Sequence, residues 1–379
     1  MRIFHACPNT AHQTSLPHSQ VWYNNLYLPL LDLGHELVTF DFDYSPFNEH
    51  LDPRNPSHAA FIRKNRPRFS DELVRQVRLA HAAKPIDMMF SYFYSSYVEP
   101  AAIREIRSLG IATINWYCNG SYQFHLVEEI APTFDYCLVP EKFRMDDYRR
   151  VGATPIYCQE AANPNVYQPH NLPQEFDVTF VGQKYGTRPA LLRHLIDHGV
   201  DTRVWGPHWT DPRRTGWRHS ARQFSRWLRG KPQQVELPVE NCGPPLDDLE
   251  LIQMYSRSRI SLGFTAVDSK PRPGVAPIKQ VRLRDFEATM SGAFYMVEQF
   301  DELAEFFEPG KEIVFFHDAE ELVDKARYYL SHPREREAIR QAGLRRAQAE
   351  HTWHERFKSV FRKVGLPVFG ERDRTSSAA

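Results

Sequence analysis

The sequence predicts an α/β fold made of two Rossmann-like, doubly wound domains. The chain has 379 residues, enough for two domains with sizeable cores. Short apolar runs alternate with segments of helical periodicity, and this alternation predicts parallel sheets with helices on both faces. The alternation breaks near residue 165, at the Pro- and Asn-rich stretch NPNVYQPHNLPQ, and then starts again. We therefore expect two successive sheets that face each other across a cleft, where ligands of such sheets bind.

The first half of the chain opens with a predicted strand, RIFHA, at residues 2–6, which is followed by a helix over 23–34. A second helix is predicted over 70–84 with Ser70 as its N-cap, and a third over 99–110. The remaining strands are predicted from short apolar runs, which lie at 35–42, 86–94, 111–118, 134–140 and 153–161.

The second half repeats the pattern, beginning with the strand FDVTFVGQ at 176–183. Its other strands are predicted at 200–206, 259–264, 292–298 and 312–317. Its helices are predicted at 187–199, 246–258, 282–291 and 319–332.

Composition and charge describe a globular protein and name no partner. Hydrophobic residues make up 42% and charged residues 25%, and the acidic and basic residues number 47 each. No run of about 18 apolar residues is present, and the N-terminus lacks the apolar core of a signal peptide. The five cysteines are widely spaced and form no C-x-x-C motif, which is typical of reduced thiols. We therefore expect a cytoplasmic protein.

The segment FVGQKYGTR, residues 180–188, links a strand to a helix. Gly182 and Gly186 would let backbone N–H groups approach a ligand, and the N-terminus of the next helix favours an anion. The spacing matches neither G-x-G-x-x-G nor the Walker A motif. An ordinary strand-to-helix turn is the alternative.

Three cations lie just before a glutamate in the helix RLRDFEATM. Lys279, Arg282 and Arg284 could neutralise a diphosphate, and the Glu287 carboxylate could accept hydrogen bonds from ribose hydroxyls. The alternative is that Arg284 and Glu287, three residues apart, pair on a solvated helix face. The cluster of cations favours the nucleotide diphosphate.

Several segments of the chain resemble one family. RDFEATMSGAFYM, the helix-rich stretch from ELAEFF onward and its ending EHTWHERF resemble the C-terminal half of the CgeB-like glycosyltransferases. DVTFVGQKYGTR is similar to the opening of that family's second domain, and LGHELVTFD and IRSLGIATINWY are similar in style to its first. The resemblance implies the GT-B fold, in which two Rossmann-like domains face each other across a cleft.

The resemblance also implies an activity and a set of residues. The activity is transfer of a sugar, as by a hexosyltransferase, from a nucleoside-diphosphate sugar to an unknown acceptor. Glu287 would bind the donor ribose, and Lys279, Arg282 or Arg284 would hold the diphosphate. The other donor-binding residues that the resemblance implies are Gly182, Lys184, Arg188, Tyr255 and Phe264, of which the last two would lie near the nucleobase.

The resemblance further implies a domain plan. An N-terminal acceptor-side domain would span 1–166, and a nucleotide-sugar-binding domain would span 167–350. A helix over 351–365 would cross back to the first domain. The polar tail, 366–379, is predicted to be disordered.

One position departs from the family pattern. Relatives often carry an Asp shortly after the tryptophan that corresponds to Trp116, and here Asn119 stands in the segment NWYCNGSY. An amide cannot act as a general base. His12 and His18, in the loop after the first strand, are the candidate catalytic bases. The alternative for each is a loop histidine without a catalytic role.

EHTWHERF contains His351 and His354, but the spacing is not that of H-E-x-x-H, and no third ligand is evident. We predict no bound metal and no cofactor other than the donor substrate.

A basic segment rich in tryptophan covers residues 203–231. We favour a structural excursion. The alternatives are an acceptor or peripheral membrane contact, and nucleic-acid binding, which is the least favoured because no RNA-binding signature occurs elsewhere.

Two alternatives to sugar transfer remain open at the level of the sequence. A non-catalytic protein of the same fold could bind a sugar nucleotide or a glycan, and Asn119 keeps that hypothesis open. A sugar-nucleotide epimerase of similar fold is the other alternative. Base, sugar, acceptor, stereochemistry and oligomeric state are not predicted.

Overall fold

A computed structural model describes residues 1–8, 19–210, 235–267 and 275–368. The chain divides into two compact units. The first unit contains Met1–Val166 and the C-terminal segment that begins at Glu350, and the second contains Tyr167–Ala349. Each unit has its own parallel sheet and its own apolar core. No helix in the described part of the chain is long and apolar enough to cross a membrane.

The first unit is built on a six-stranded parallel sheet in the order β2-β1-β3-β4-β5-β6. Its strands are β1 Arg2–Ala6, β2 Glu36–Thr39, β3 Met88–Ser91, β4 Ala112–Trp116, β5 Tyr136–Val139 and β6 Pro155–Tyr157. Its α-helices before the second unit are α1 Leu28–Asp32, α2 Ser45–Asn48, α3 Pro56–Ala83, α4 Pro100–Ser108, α5 Gly120–Gln123 and α6 Met145–Arg150. A π-helical turn, Tyr23–Tyr27, leads into α1.

The last helix of the described chain belongs to the core of the first unit. Trp353 makes an edge-to-face contact with Trp116, at a centroid distance of 5.2 Å. Phe357 packs against Phe90 at 5.5 Å, and Phe361 packs against His35 at 5.4 Å. These contacts bury one face of the helix against the sheet, so the two ends of the chain share one core.

The second unit is also a six-stranded parallel sheet, in the order β12-β11-β10-β7-β8-β9. Its strands are β7 Phe176–Val181, β8 Thr202–Trp205, β9 Cys242–Gly243, β10 Ser258–Gly263, β11 Tyr295–Glu298 and β12 Val314–Phe316. The helices after α6 are α7 Arg188–Asp197, α8 Asp248–Arg257, α9 Leu283–Met290, α10 Ala319–Ser331, α11 Pro333–Glu350 and, in the first unit, α12 Trp353–Lys363. The strand order reverses between β7 and β10, which makes their carboxyl ends the switch point of the sheet.

The structure confirms two parallel sheets with surrounding helices and corrects one predicted helix start. Helix α3 begins at Pro56, and the Asn55 side chain caps it by accepting the N–H of Ser57 at 3.0 Å. Ser70, the predicted N-cap, lies inside α3, where its hydroxyl donates to the Arg66 carbonyl at 2.8 Å. Residues 56–69 are mostly polar and include Pro67, so they show no clear helical periodicity. The first half of this helix was therefore not predicted.

All five cysteines are free thiols, and four of them are buried. Burial raises the pKa of the Cys7, Cys137 and Cys158 thiols, so these groups stay protonated near neutral pH. Protonated thiols are poor nucleophiles.

Candidate functional site

Several candidate residues of the second unit lie at the carboxyl end of its sheet. Gly182 follows β7, Phe264 follows β10, and Glu298 is the last residue of β11. These three strands are neighbours on both sides of the switch point. Ligands of open parallel sheets bind there, because the loops that leave the strands diverge and expose a crevice.

Gly182 shapes the turn after β7. Its N–H donates to the Trp205 carbonyl at 2.8 Å, and its own carbonyl accepts the indole N–H of Trp209 at 2.7 Å. Gly206 runs so close that a Cβ there would lie 2.3 Å from the Gly182 oxygen. Both backbone groups of Gly182 are therefore engaged within the protein, and its part in donor binding stays a prediction.

Arg188 is the first residue of α7 and only 7% exposed. Its guanidinium stacks on the Tyr185 ring at 3.8 Å and donates to the Tyr185 hydroxyl at 2.6 Å and to the Gln183 carbonyl at 3.0 Å. Among the described residues it forms no ion pair, and its Nε has no hydrogen-bond partner. Burial, together with the positive charge of Arg282, lowers the pKa of Arg188 to about 10, so the group is still a cation at neutral pH.

A buried cation without a carboxylate in contact is costly, because the more distant charge of Glu298 offsets only part of the desolvation. An anionic ligand would remove that cost. The ring of Phe264, 5.8 Å from the guanidinium, forms part of the surrounding apolar wall, together with Phe180 at 5.3 Å. Arg188 thus places a buried positive charge beside the switch point, and its part in donor binding stays a prediction.

Two predicted lysines of the site have carboxylate partners. Lys184 pairs with Glu236 and lies 5.5 Å above the Trp209 ring. Lys279 pairs with Glu298 at 3.1 Å and donates to the Gln299 carbonyl at 2.7 Å. The charges of both lysines are therefore partly neutralised within the protein.

Glu298 also orders the loop that follows β10. Its second oxygen accepts the backbone N–H groups of Thr265 and Ala266, each at 3.1 Å. This residue was missed by the sequence analysis. A carboxylate as the last residue of an otherwise apolar strand was the available signal, since that position lies at the ligand-binding edge of a parallel sheet.

Arg284 and Glu287 form an ion pair on α9, with an N–O distance of 3.0 Å. The pair does not lie on a fully solvated face, because the Glu287 side chain is only 4% exposed while that of Arg284 is 35% exposed. Tyr255 from α8 and Tyr167 are buried beside it and interact electrostatically with Glu287. Burial raises the pKa of both tyrosine hydroxyls, so they remain neutral donors next to the carboxylate.

Asp285 holds the first turn of α9. One carboxylate oxygen accepts the N–H of Arg282 at 2.7 Å, and the other accepts the hydroxyl of Tyr295 at 2.8 Å. The side chain is 1% exposed, and burial raises its pKa to about 6. Asp285 was also missed, although an acidic residue three positions into a helix is a known capping signal.

The structure thus places Arg188, Phe264 and Lys279 around the ends of β7, β10 and β11, and it places Arg284, Glu287 and Tyr255 together on facing sides of α9 and α8. Phe264 is 3% exposed and packs against Phe180 at 4.9 Å. Contact of Phe264 or Tyr255 with a nucleobase stays a prediction. His12, His18 and residues 211–231 of the basic segment lie outside the described residues.

Residues 188–362 match the model of a family described as glycosyl transferase-like. Most of the second unit is therefore glycosyltransferase-like in sequence. This segment holds Arg188, Arg284 and Glu287 and continues through α12. No curated protein matches the chain in sequence.

Solved structures match nearly the whole chain and show its GT-B fold. Sucrose-phosphate synthase of Thermosynechococcus elongatus matches with a TM-score of 0.57 at 11% identity, over 96% of this chain and 99% of that one. HepE of Anabaena, solved with UDP and glucose, matches with a TM-score of 0.56 at 11% identity, also over 96% and 99%. A glycosyltransferase of Rickettsia africae matches with a TM-score of 0.55 at 9% identity, over 96% and 97%.

The two histidines of EHTWHERF have partners in the first unit, around the start of α12. His354 contacts the Asp32 carboxylate at 3.0 Å, and His351 is buried near Arg356, with a ring nitrogen 3.4 Å from the guanidinium. Neither histidine belongs to a group of three metal-ligating side chains among the described residues.

Proposed function

We propose that the protein is a CgeB-like glycosyltransferase that moves a sugar, of hexose type, from a nucleoside-diphosphate donor to an acceptor in the cytoplasm. The observation that carries this proposal is Arg188, a buried guanidinium without a carboxylate partner among the described residues, at the switch point of a parallel sheet. A donor diphosphate supplies the missing negative charge, and arginine matches phosphate oxygens with paired hydrogen bonds.

The neighbouring groups extend the proposed donor site. Arg282 is close enough to influence the pKa of Arg188, and together they give a doubly cationic position for two phosphates. Lys279 lies at the end of the adjacent strand, beside Glu298. Glu287 is the acceptor for the ribose hydroxyls, and Arg284 and the two buried tyrosines hold its carboxylate in place.

The proposed reaction breaks the bond between the anomeric carbon and the oxygen of the distal phosphate, and an acceptor oxygen forms the new bond to that carbon. The leaving nucleoside diphosphate gains negative charge as the bond breaks. Cations fixed beside it stabilise the transition state more than the ground state, and they can do so without a metal ion. The acceptor proton passes to a base, for which His12 and His18 remain the candidates.

The choice of donor is guided by HepE, which was solved with UDP and glucose. Calorimetric titration should therefore begin with uridine, UMP and UDP, followed by GDP and dTDP. We expect UDP to bind at least about tenfold more tightly than uridine. The phosphates of UDP can neutralise the charge of Arg188, and uridine has no phosphate. Arg188→Met keeps the apolar bulk of the side chain and should remove that difference.

A matched control is Arg193→Met on the same helix, since Arg193 is exposed and pairs with Asp197 at 2.7 Å. It should leave UDP affinity unchanged. Equal affinity of the wild-type protein for nucleosides and their diphosphates would refute the donor site. Release of UDP from a sugar donor supports transfer, binding without release supports a non-catalytic protein, and a changed sugar on recovered donor supports epimerisation.

A further inference from the structure

We infer that His194, His198 and Glu320 form a binding site for a divalent transition-metal ion in the second unit. His194 and His198 are one helical turn apart on α7, and Glu320 lies in the first turn of α10. One potential ligand atom from each of the three residues lies within 4.8 Å of the other two. Two imidazoles and a carboxylate are a donor set typical of Zn²⁺ sites.

The tautomer of His198 follows from its hydrogen bond. Its Nδ1 lies 2.8 Å from the carbonyl oxygen of His194. A carbonyl oxygen only accepts, so Nδ1 carries the proton, and Nε2 of the neutral ring presents its lone pair. A backbone carbonyl bonded to the second ring nitrogen is the arrangement that orients metal-binding histidines.

The other two groups already converge. Nε2 of His194 lies 3.1 Å from the Glu320 carboxylate, and the centroids of the two imidazole rings are 4.1 Å apart. The Glu320 side chain is 77% exposed, and that of His194 is 25% exposed, so water can reach the site and fill the remaining coordination position. Nitrogen-rich ligation favours Zn²⁺, Ni²⁺ or Cu²⁺ over Mg²⁺ and Ca²⁺.

The ion would add a connection between α7 and α10. Arg327 of α10 already donates a hydrogen bond to the His198 carbonyl at 2.6 Å. His194 lies six residues after Arg188 on α7, which corresponds to roughly 9 Å along the helix. The metal would therefore stabilise the packing of α7 against α10 and would not touch the proposed donor phosphates. The inference does not depend on the proposed function.

The test uses the full-length protein, stripped with a chelator and titrated with Zn²⁺ by competition with a chromophoric indicator. We expect one equivalent of tightly bound Zn²⁺ and a rise in melting temperature with Zn²⁺ concentration. His198→Ala, His194→Ala and Glu320→Gln should each weaken that binding by about tenfold or more. Co²⁺ should give visible ligand-field absorption in the wild-type protein and lose it in His198→Ala.

His317→Ala is the matched control. His317 forms an exposed pair with Glu321 at 2.6 Å, in the same part of the unit, but it lacks a second imidazole. This variant should keep the full Zn²⁺ equivalent. Equal Zn²⁺ stoichiometry and affinity in the wild-type protein and in folded His194→Ala/His198→Ala, checked by circular dichroism, would overturn the inference. UDP binding, measured in parallel, should be the same with and without Zn²⁺.

Discussion

The hydroxyl of Tyr295 donates a hydrogen bond to the buried carboxylate of Asp285 at 2.8 Å. Tyr295 belongs to β11, and Asp285 to the first turn of α9, so this bond connects the sheet to the helix that holds Arg284 and Glu287. The second oxygen of Asp285 is occupied by the N–H of Arg282. One carboxylate thus helps to fix the position of the helix that carries Arg284 and Glu287.

Asp285 should make the stability of the second unit depend on pH. Burial raises its pKa to about 6, whereas an unfolded Asp titrates near 4. Between these values the folded protein holds the proton more tightly, so the contribution of Asp285 to stability is greatest below pH 4 and is lost as the pH rises through 6. The change is about 3 kcal/mol.

Asp285→Asn should remove this contribution. Urea unfolding at intervals from pH 4 to pH 7 measures it as the difference in free energy of unfolding between the variant and the wild-type protein. That difference should vary with pH in the stated direction. A constant difference across the range would show that Asp285 does not titrate there.

Gly263→Ala should disrupt the same connection from the side of β10. A Cβ at Gly263 would lie 2.0 Å from the Tyr295 hydroxyl oxygen and 2.4 Å from its Cζ. We expect a loss of stability of about 2 to 3 kcal/mol, because the ring has to move in a packed core. Gly199→Ala, where the Cβ meets open space but φ is +78°, should cost only about 1 kcal/mol.

The stability lost in Gly263→Ala should depend on the residue at position 295. Tyr295→Phe removes both the clashing oxygen and the bond to Asp285, so Gly263→Ala should cost less in the Tyr295→Phe background than in the wild-type protein. Thermal unfolding of the four proteins measures the coupling. Strict additivity would mean that the added methyl group is accommodated elsewhere.

The pair of Arg284 and Glu287 should separate stability from donor binding. Arg284→Met removes the 3.0 Å partner of a nearly buried carboxylate and should destabilise the protein by about 3 kcal/mol. Adding Glu287→Gln removes the buried charge that Arg284 no longer compensates and should restore most of that stability. Donor affinity should stay low in the double variant, because the ribose has lost its carboxylate.

Chemical unfolding and UDP titration of the single and double variants provide the test. Recovery of UDP affinity together with stability would mean that Glu287 acts only through folding. Arg193→Met again serves as the control, with neither quantity changed.

His5 should make the first unit sensitive to acid. It is fully buried in β1 between Tyr27, at a ring distance of 5.2 Å, and Phe90, at 6.0 Å. Among the residues that the structure describes, neither ring nitrogen has a hydrogen-bond partner. Burial lowers its pKa to about 3. Because the unfolded chain binds the proton more readily between pH 6.5 and 3, the free energy of unfolding falls as the pH is lowered over that range, by roughly 5 kcal/mol.

His5→Phe should shift the midpoint of acid unfolding of the first unit to lower pH, as followed by tryptophan fluorescence. His50→Gln, at a half-buried histidine that stacks on Phe61, is the control and should not shift it. An unchanged midpoint in His5→Phe would assign the acid sensitivity to other groups.

The strands were predictable from the sequence because strands of a parallel sheet are buried on both faces and appear as continuous apolar runs. RIFHA and IATINWYC both contain observed strands, Arg2–Ala6 and Ala112–Trp116. The strand Cys242–Gly243 was missed, since two residues carry no periodicity. Its backbone pairing with β8 depends on the close approach of Gly243 to Trp205, which a Cβ would prevent.

The types of residue at the site were predictable from the sequence, but the pairing of its lysines with carboxylates was not. The spacing of Arg284 and Glu287 indicated that they could pair, but the burial of Glu287 comes from Tyr167 and Tyr255, which lie far away in sequence. The partner of Lys184 is 52 residues away, at Glu236. Such contacts depend on tertiary packing, so the sequence did not indicate that Arg188 has no carboxylate partner in the described part of the chain while Lys184 and Lys279 each have one.

The position of α12 has a consequence for biosynthesis. Trp353 and Phe361 belong to the core that contains Trp116, Phe90 and His35, yet the ribosome makes them only after the whole second unit. Until α12 has been synthesised, the face of the first sheet that carries Trp116 is not covered by this helix. The second unit, Tyr167–Ala349, is contiguous and can finish folding on the ribosome, so the segment translated first is the last to mature.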